Sequence, residues 1–154
     1  MATNRSTPPG TIVPSLIYND VDAAMAWLCD AFGFSERLRA CDEGGKISHA
    51  QLSIGNGGLL LGAARVGHGS SATQIVEFRP PRPNEVSVVL MVQVSDVDRH
   101  YERAKEAGAR ILAAPTTFPF GERQYIVEDL DGHRWTFSQS VADVRPEDWG
   151  AQAP

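Results

Sequence analysis

The sequence has few cysteines and no long apolar segment. Its two cysteines, Cys29 and Cys41, have no neighbouring cysteine or histidine at a zinc-binding spacing. No stretch approaches the roughly 18 consecutive apolar residues that a membrane span needs, and residues 1–10 lack the apolar core of a signal peptide. We therefore expect a cytoplasmic protein with reduced thiols and without a membrane partner.

The sequence also lacks an excess of positive charge. Its net charge is -5, and its 14 lysines and arginines are scattered along the chain. Nucleic-acid binding needs a basic face, so we expect no nucleic-acid partner. A cationic or neutral small molecule suits this charge balance better.

The two halves of the chain share one layout. Each half has an apolar segment followed by a helix start, written Asn19-Asp20-Val21-Asp22 in the first half and Ser95-Asp96-Val97-Asp98 in the second. The two starts are 96 − 20 = 76 residues apart, which indicates an internal repeat. Modules of this size bury too little surface to fold alone, so we expect one domain over residues 12–139, built from modules 12–62 and 86–139.

Each module reads as a strand, a helix and three further strands. We expect Asn19 and Ser95 to cap the helices, and Gly33 and Gly108 to end them. Glycine-rich turns separate the following strands, so the pattern is βαβββ twice. Residues 63–85 read as a linker, with a mobile loop at 67–71, and residues 1–11 and 140–154 as flexible or peripheral tails.

The repeated helix starts and the closing segment resemble a known family. The closing segment reads Glu128-Asp129-Leu130-Asp131-Gly132-His133-Arg134-Trp135-Thr136-Phe137. These motifs, in this order, resemble the vicinal oxygen chelate superfamily of glyoxalases, ring-cleaving dioxygenases and bleomycin-resistance proteins. The resemblance implies an α+β fold with two βαβββ modules in tandem, forming a cup-shaped, partly open mixed sheet with helices on the outside. It also implies a homodimer with a small molecule in the cup.

The positions that hold metal in the metal-using members of that family carry other side chains here. Alignment of the helix starts puts Val13 and Val89 at the first-strand positions, and alignment of the last turn puts Thr136 at the final one. The matching position in the first module is Leu60 or Leu61. Aliphatic side chains offer no donor to a cation, so we expect no family-type metal, no cofactor, and a place in the metal-free, bleomycin-resistance-like branch.

Period-two alternation along the strands separates inward-facing from helix-facing residues. If Thr136 faces inward, Arg134 does too, and Trp135 belongs to the core. The family pattern places Gln124 and Ile126 inward, and the repeat maps His49 and Gln51 onto them. The predicted ligand-binding residues are Ser15, His49, Gln51, Met91, Gln93, Phe118, Phe120, Gln124, Ile126, Arg134 and Thr136.

Two of these predictions leave alternatives open. His49 is either a proton-transfer or metal-binding group, or a hydrogen-bonding residue of the cup wall. Phe118 and Phe120 either pack on the core or close over a ligand. His100 is expected on the outer face of the second helix.

The function predicted from these residues is binding of a small organic molecule without chemical change, with sequestration of a toxic compound or an antibiotic as its concrete form. The alternative is a glyoxalase-type lyase or isomerase that uses His49, Gln51 and Glu128. A third possibility is an interaction module whose cup is filled by its own leucines.

Overall fold

The computed structural model describes residues 4–68 and 75–154, which fall into two compact units, Met1–Arg82 and Pro83–Pro154. The first unit contains β1 Ser15–Tyr18, α1 Val21–Phe32, β2 Ser35–Cys41, β3 Ile47–Ile54, β4 Gly57–Ala63, β5 Arg65–His68 and β6 Ile75–Phe78. The second contains β7 Val89–Gln93, α2 Val97–Glu106, β8 Arg110–Thr117, β9 Glu122–Glu128, β10 Arg134–Ser140 and a 3₁₀ turn, Pro146–Trp149.

Each unit has an open four-stranded sheet of the same topology. The strand order is β1-β4-β3-β2 in the first unit and β7-β10-β9-β8 in the second. The first strand of each module runs parallel to the last, and the other pairs are antiparallel. The predicted α+β fold with two βαβββ modules is confirmed.

The N-cap of each helix lies one residue after the predicted one. The side chains of Asp20 and Asp96 accept the free amide hydrogens of Ala23 and Arg99, each at 3.0 Å. Asn19 and Ser95 are therefore not the capping residues. Aspartate is the better acceptor at this position because its charge also interacts favourably with the helix dipole.

One face of each sheet packs against the helix of its own unit. In the first unit, the fully buried residues of the sheet include Tyr18, Ala50, Leu52 and Leu61. In the second unit they are Tyr125, Val127, Trp135 and Phe137. Trp135 is 1% exposed, so its prediction as a core residue is confirmed.

His100 contributes to the core of the second unit. Its Nδ1 lies 2.6 Å from the hydroxyl of Tyr125, and its ring centroid lies 4.0 Å from that of Phe137. The expected outer position was wrong because His100 shares the helix face of Val97 and Ala104, the two buried residues of α2. Burial raises the pKa of Tyr125, so its hydroxyl stays protonated.

The predicted linker contains a hairpin that the sequence analysis did not predict. Strands β5 and β6 pair antiparallel, with Arg65 opposite Phe78 and His68 opposite Ile75. Most of the loop predicted at residues 67–71 lies outside the described residues. The hairpin places an arginine and a phenylalanine beside the end of β4.

Candidate functional site

The first sheet has one face that α1 does not cover. Ala50 and Leu52 of β3 are fully buried on the helix side, so the alternating residues His49, Gln51 and Ser53 lie on the opposite, open face. In β1, Ser15 and Ile17 lie on that face for the same reason. This placement agrees with the alternation predicted from the sequence.

A pocket of about 440 Å³ opens on this face, within the first unit. It brings together two of the predicted site residues, Ser15 and His49. The other lining residues were not among the predicted site residues. The complete lining is Ser15, Ile17, Ser48, His49, Gly62, Ala63, Arg65 and Phe78.

Arg65 forms one wall of the pocket and is held by two contacts. Its guanidinium carbon lies 4.2 Å from the ring centroid of Phe78, a cation–π geometry. Its Nη1 donates to the backbone oxygen of Ala63 at 3.2 Å. Both contacts restrain the guanidinium at the pocket.

Ser15 and His49 contribute polar groups that other protein atoms do not use. Within residues 4–68 and 75–154, neither the Ser15 hydroxyl nor the His49 imidazole has a protein hydrogen-bond partner. The hydroxyl of Ser48, by contrast, lies 3.4 Å from the backbone oxygen of Ala40. A ligand can therefore hydrogen-bond to Ser15 and His49 without breaking an existing bond.

Gly62 forms the floor of the pocket. A Cβ atom at this position would lie 3.2 Å from Cδ1 of Ile17 and 3.6 Å from Nη1 of Arg65. Gly62 pairs with His49 on one side and with Ile17 on the other. The equivalent residue of the second unit is Ser138, which pairs with Gln124 and Gln93 in the same way.

The N-terminal segment covers another part of the same open face, around Gln51. The amide of Gln51 accepts from Nη1 of Arg37 at 2.6 Å and donates to the backbone oxygen of Ser6 at 3.1 Å. Its exposed fraction is only 7%. Gln51 was predicted to bind ligand, but the structure does not place it in the pocket.

The open face of the second sheet carries a hydrogen-bonded network. Gln124 donates to the hydroxyl of Ser138 at 3.1 Å, and Ser138 and Ser140 each donate to the carboxylate of Glu122 at 2.5 Å. These hydroxyl groups, Ser138 first, hold the pKa of Glu122 below its usual range. The predicted residues on this face are Met91, Gln93, Gln124, Ile126, Arg134 and Thr136.

Glu122, the first residue of β9, was not among the predicted site residues. Glu128, the other carboxylate of this face, is held between Arg134 at 3.2 Å and Arg110 at 3.0 Å. The predicted ligand-binding Arg134 thus contacts an acid of its own sheet. Met91, by contrast, is 62% exposed on this face.

Phe118 and Phe120 stack on each other at the turn between β8 and β9. Their ring centroids are 5.2 Å apart and nearly parallel. Trp149, from the C-terminal 3₁₀ turn, lies 5.6 Å from Phe120. The pair therefore contacts the C-terminal part of its own unit.

The strand register settles which leucine matches Thr136. Ser15 pairs with Leu60, and Met91, which is 76 residues after Ser15, pairs with Thr136. Leu60 is thus the equivalent residue, and Leu61 belongs to the core. Over the described ranges, no three His, Cys, Asp or Glu residues are grouped to hold a metal ion.

No helix in the described parts of the chain is both long and apolar enough to cross a membrane.

Comparison with known proteins identifies relatives over most of the chain. The structure of TioX from Micromonospora sp. ML1 is similar with a TM-score of 0.68 and 34% identity, covering 85% of this chain and 98% of TioX. An uncharacterized protein of Mycobacterium bovis is 29% identical over 88% of this chain and 86% of its own length. TnmS3 from Streptomyces sp. CB03234, described as an antibiotic binding protein, has a TM-score of 0.59 at 21% identity, covering 83% of this chain and 93% of TnmS3.

The family match covers both modules. A profile of the Glyoxalase/Bleomycin resistance protein/Dioxygenase superfamily matches residues 11–137. This range contains both helix starts and the closing Asp-x-Asp-Gly turn. The chain belongs to the glyoxalase/bleomycin resistance protein/dioxygenase superfamily.

Proposed function

We propose that this protein binds a small organic molecule in the pocket of its first unit and holds it without transforming it. The observation that carries the proposal is the pocket itself, about 440 Å³ in volume, with apolar walls and a few placed polar groups. Sites for small molecules have this size and character. Sequestration of a toxic compound or an antibiotic is the concrete form of the function.

One of the comparisons supports this form of the proposal. TnmS3, described as an antibiotic binding protein, has the same fold; because one fold hosts many functions, the site residues carry the argument. As part of the same proposal, the protein is a cytoplasmic homodimer and belongs to the metal-free branch of the superfamily. Sedimentation of the purified protein tests the dimer.

A blocked pocket provides the main test. In Gly62→Val, the new Cβ would lie 3.2 Å from Cδ1 of Ile17 and 3.6 Å from Nη1 of Arg65, and its two methyl groups would extend into the pocket. Gly57→Val, on the same strand but away from the pocket, is the matched control; a Cβ there meets only the backbone oxygen of Ile54, at 3.5 Å.

Binding of a panel of antibiotics and aromatic metabolites is measured by calorimetry with the three proteins. We expect at least one compound to bind the native protein and Gly57→Val alike, and to lose binding to Gly62→Val. Circular dichroism shows whether both variants are folded. Compounds that bind folded Gly62→Val as well as the native protein would contradict the proposed site.

The alternative enzyme function requires His49, Gln51 and Glu128 to act together. The structure engages two of these groups elsewhere, because Gln51 bonds to Arg37 and Ser6, and Glu128 bonds to two arginines. Recovery of the bound compound unchanged, checked by mass spectrometry, is expected. Conversion of the compound, or stoichiometric metal that is lost in His49→Ala, would favour the enzyme.

A further inference from the structure

We propose that the ligand of this pocket is an anion with a flat apolar body, such as an aromatic carboxylate, and that Arg65 selects for its negative charge. This inference rests on the proposed function, because it names the class of molecule that the same pocket takes. It concerns a residue in the stretch that the sequence analysis read as a linker.

The pocket lining carries positive charge. Its lining contains one arginine and no aspartate or glutamate. Within residues 4–68 and 75–154, Arg65 forms no ion pair with an acidic side chain, and residues 69–74 contain no acid in their sequence. Arg39 and Arg123, by contrast, pair with Glu36 and Asp98.

The second step is the geometry of the guanidinium. The Phe78 ring and the backbone oxygen of Ala63 restrain the guanidinium, and within residues 4–68 and 75–154 its N–H groups other than those of Nη1 have no protein acceptor. A guanidinium carries five N–H donors in a planar fork that matches the two oxygens of a carboxylate. Arg65 therefore has donors left for an anionic group, and they are already oriented.

The third step is the remaining chemistry of the lining. Ser15 and His49 each offer a donor without a protein partner in the described residues, and an anion loses less free energy on leaving water when several donors receive it. Ile17 and Phe78 offer apolar surface to the body of the ligand. Gly62 contributes only backbone atoms to the lining.

The positive charge of Arg65 favours an anionic ligand, whereas the net charge of the chain led us to expect a cationic or neutral one. The value of -5 for the whole chain favours cationic or neutral molecules, but charges beyond about 8–10 Å are largely screened at physiological ionic strength. Arg65 contacts the ligand directly, so its charge determines the preference of the pocket.

Three probes of one shape test the inference on the native protein. They are 2-naphthoate, neutral 2-naphthamide and cationic 2-naphthylmethylammonium. We expect naphthoate to bind at least about tenfold more tightly than the amide, because the amide cannot form a charge-assisted hydrogen-bonded pair with Arg65. The ammonium compound should bind most weakly. The naphthoate affinity should fall with added salt, and the amide affinity should not.

Variants then assign the preference to Arg65. Arg65→Gln should lower the naphthoate affinity to the level of the amide, and Arg65→Lys should restore part of it. Arg39→Gln, which removes an arginine of the same unit that pairs with Glu36, should leave all three affinities unchanged.

The outcomes separate this inference from the proposed function. Equal affinities for the three probes, or no binding of naphthoate while another compound binds and is excluded by Gly62→Val, would overturn the anionic class and leave the proposed function standing. Binding that Gly62→Val does not affect would overturn the proposed function itself.

Discussion

Two hairpin turns of this protein have the same hydrogen bonds but differ in burial, which permits a controlled prediction. Oδ1 of Asp42 accepts from the amides of Gly44 and Lys46, both at 2.9 Å. Oδ1 of Asp129 accepts from Asp131 at 3.1 Å and His133 at 3.0 Å, at the same spacings. Asp42 is exposed, whereas Asp129 is 6% exposed.

Asp129 also bonds to a buried indole, and this bond sets the size of the expected effect. Its Oδ2 accepts from Nε1 of Trp135 at 3.0 Å, in a buried environment. Loss of the two turn bonds costs about 1 kcal/mol where water can replace them, and a buried N–H without an acceptor costs about 1–3 kcal/mol more. We therefore expect a loss of about 1 kcal/mol for Asp42→Ala and about 2–4 kcal/mol for Asp129→Ala.

The assay is urea unfolding followed by far-ultraviolet circular dichroism, on a double-mutant cycle with Trp135→Phe. Phenylalanine has no indole N–H, so Asp129→Ala should cost about 1–3 kcal/mol less in that background than in the native protein. The reasoning is refuted if Asp42→Ala and Asp129→Ala cost the same, or if Trp135→Phe leaves the cost of Asp129→Ala unchanged.

Three further predictions concern single positions. Glu122→Gln should destabilise the protein at neutral pH. Because folding lowers the pKa of Glu122, its stabilising contribution is fully present above the pKa of the unfolded chain, about 4.5, and is lost as the pH falls further. A deficit in urea unfolding that is the same at neutral pH and well below pH 4.5 would contradict this. Gly121→Ala should destabilise the protein far more than Gly108→Ala. Both glycines have φ above +80°, but a Cβ at Gly121 would lie 2.3 Å from the Ala142 oxygen, whereas a Cβ at Gly108 would meet nothing within 4 Å. Equal melting temperatures of the two variants would contradict this. Gly58→Val should release the N-terminal segment, since a Cβ there would lie 2.7 Å from the Pro9 oxygen, and trypsin should then cleave faster after Arg5; an unchanged rate would count against it.

The fold could be predicted because it depends on features that recur along the chain. Both helices end near the predicted glycines, with φ of 76° at Gly33 and 81° at Gly108. The alternating apolar residues of β3 and β10 identified the buried faces. These signals are local, since each needs only a few neighbouring residues to be read.

The candidate site could be predicted only in part, because its walls come from distant segments. Ser15 and His49 follow from strand alternation and from the repeat. Arg65 and Phe78 meet only through the β5–β6 register, and these short strands lie in a stretch rich in glycine and proline. Gln51 faces the predicted side, but contacts with Arg37 and the N-terminal segment, which no periodicity reveals, cover it.

The difference between the two open faces follows from one pair of equivalent positions. In the second unit, the hydroxyl of Ser138 occupies the space between neighbouring strands and bonds to Gln124 and Glu122. In the first unit Gly62 stands at that position, opposite His49; it supplies no hydroxyl, and the side chains of Ile17 and Arg65 lie 3.2 Å and 3.6 Å from where its Cβ atom would be. Because a polar group that loses water needs a partner, the second face satisfies these groups internally, whereas within residues 4–68 and 75–154 the imidazole of His49 has no protein hydrogen-bond partner. The exchange of one hydroxyl-bearing residue for glycine thus removes from the first face the partner that Gln124 has in the second.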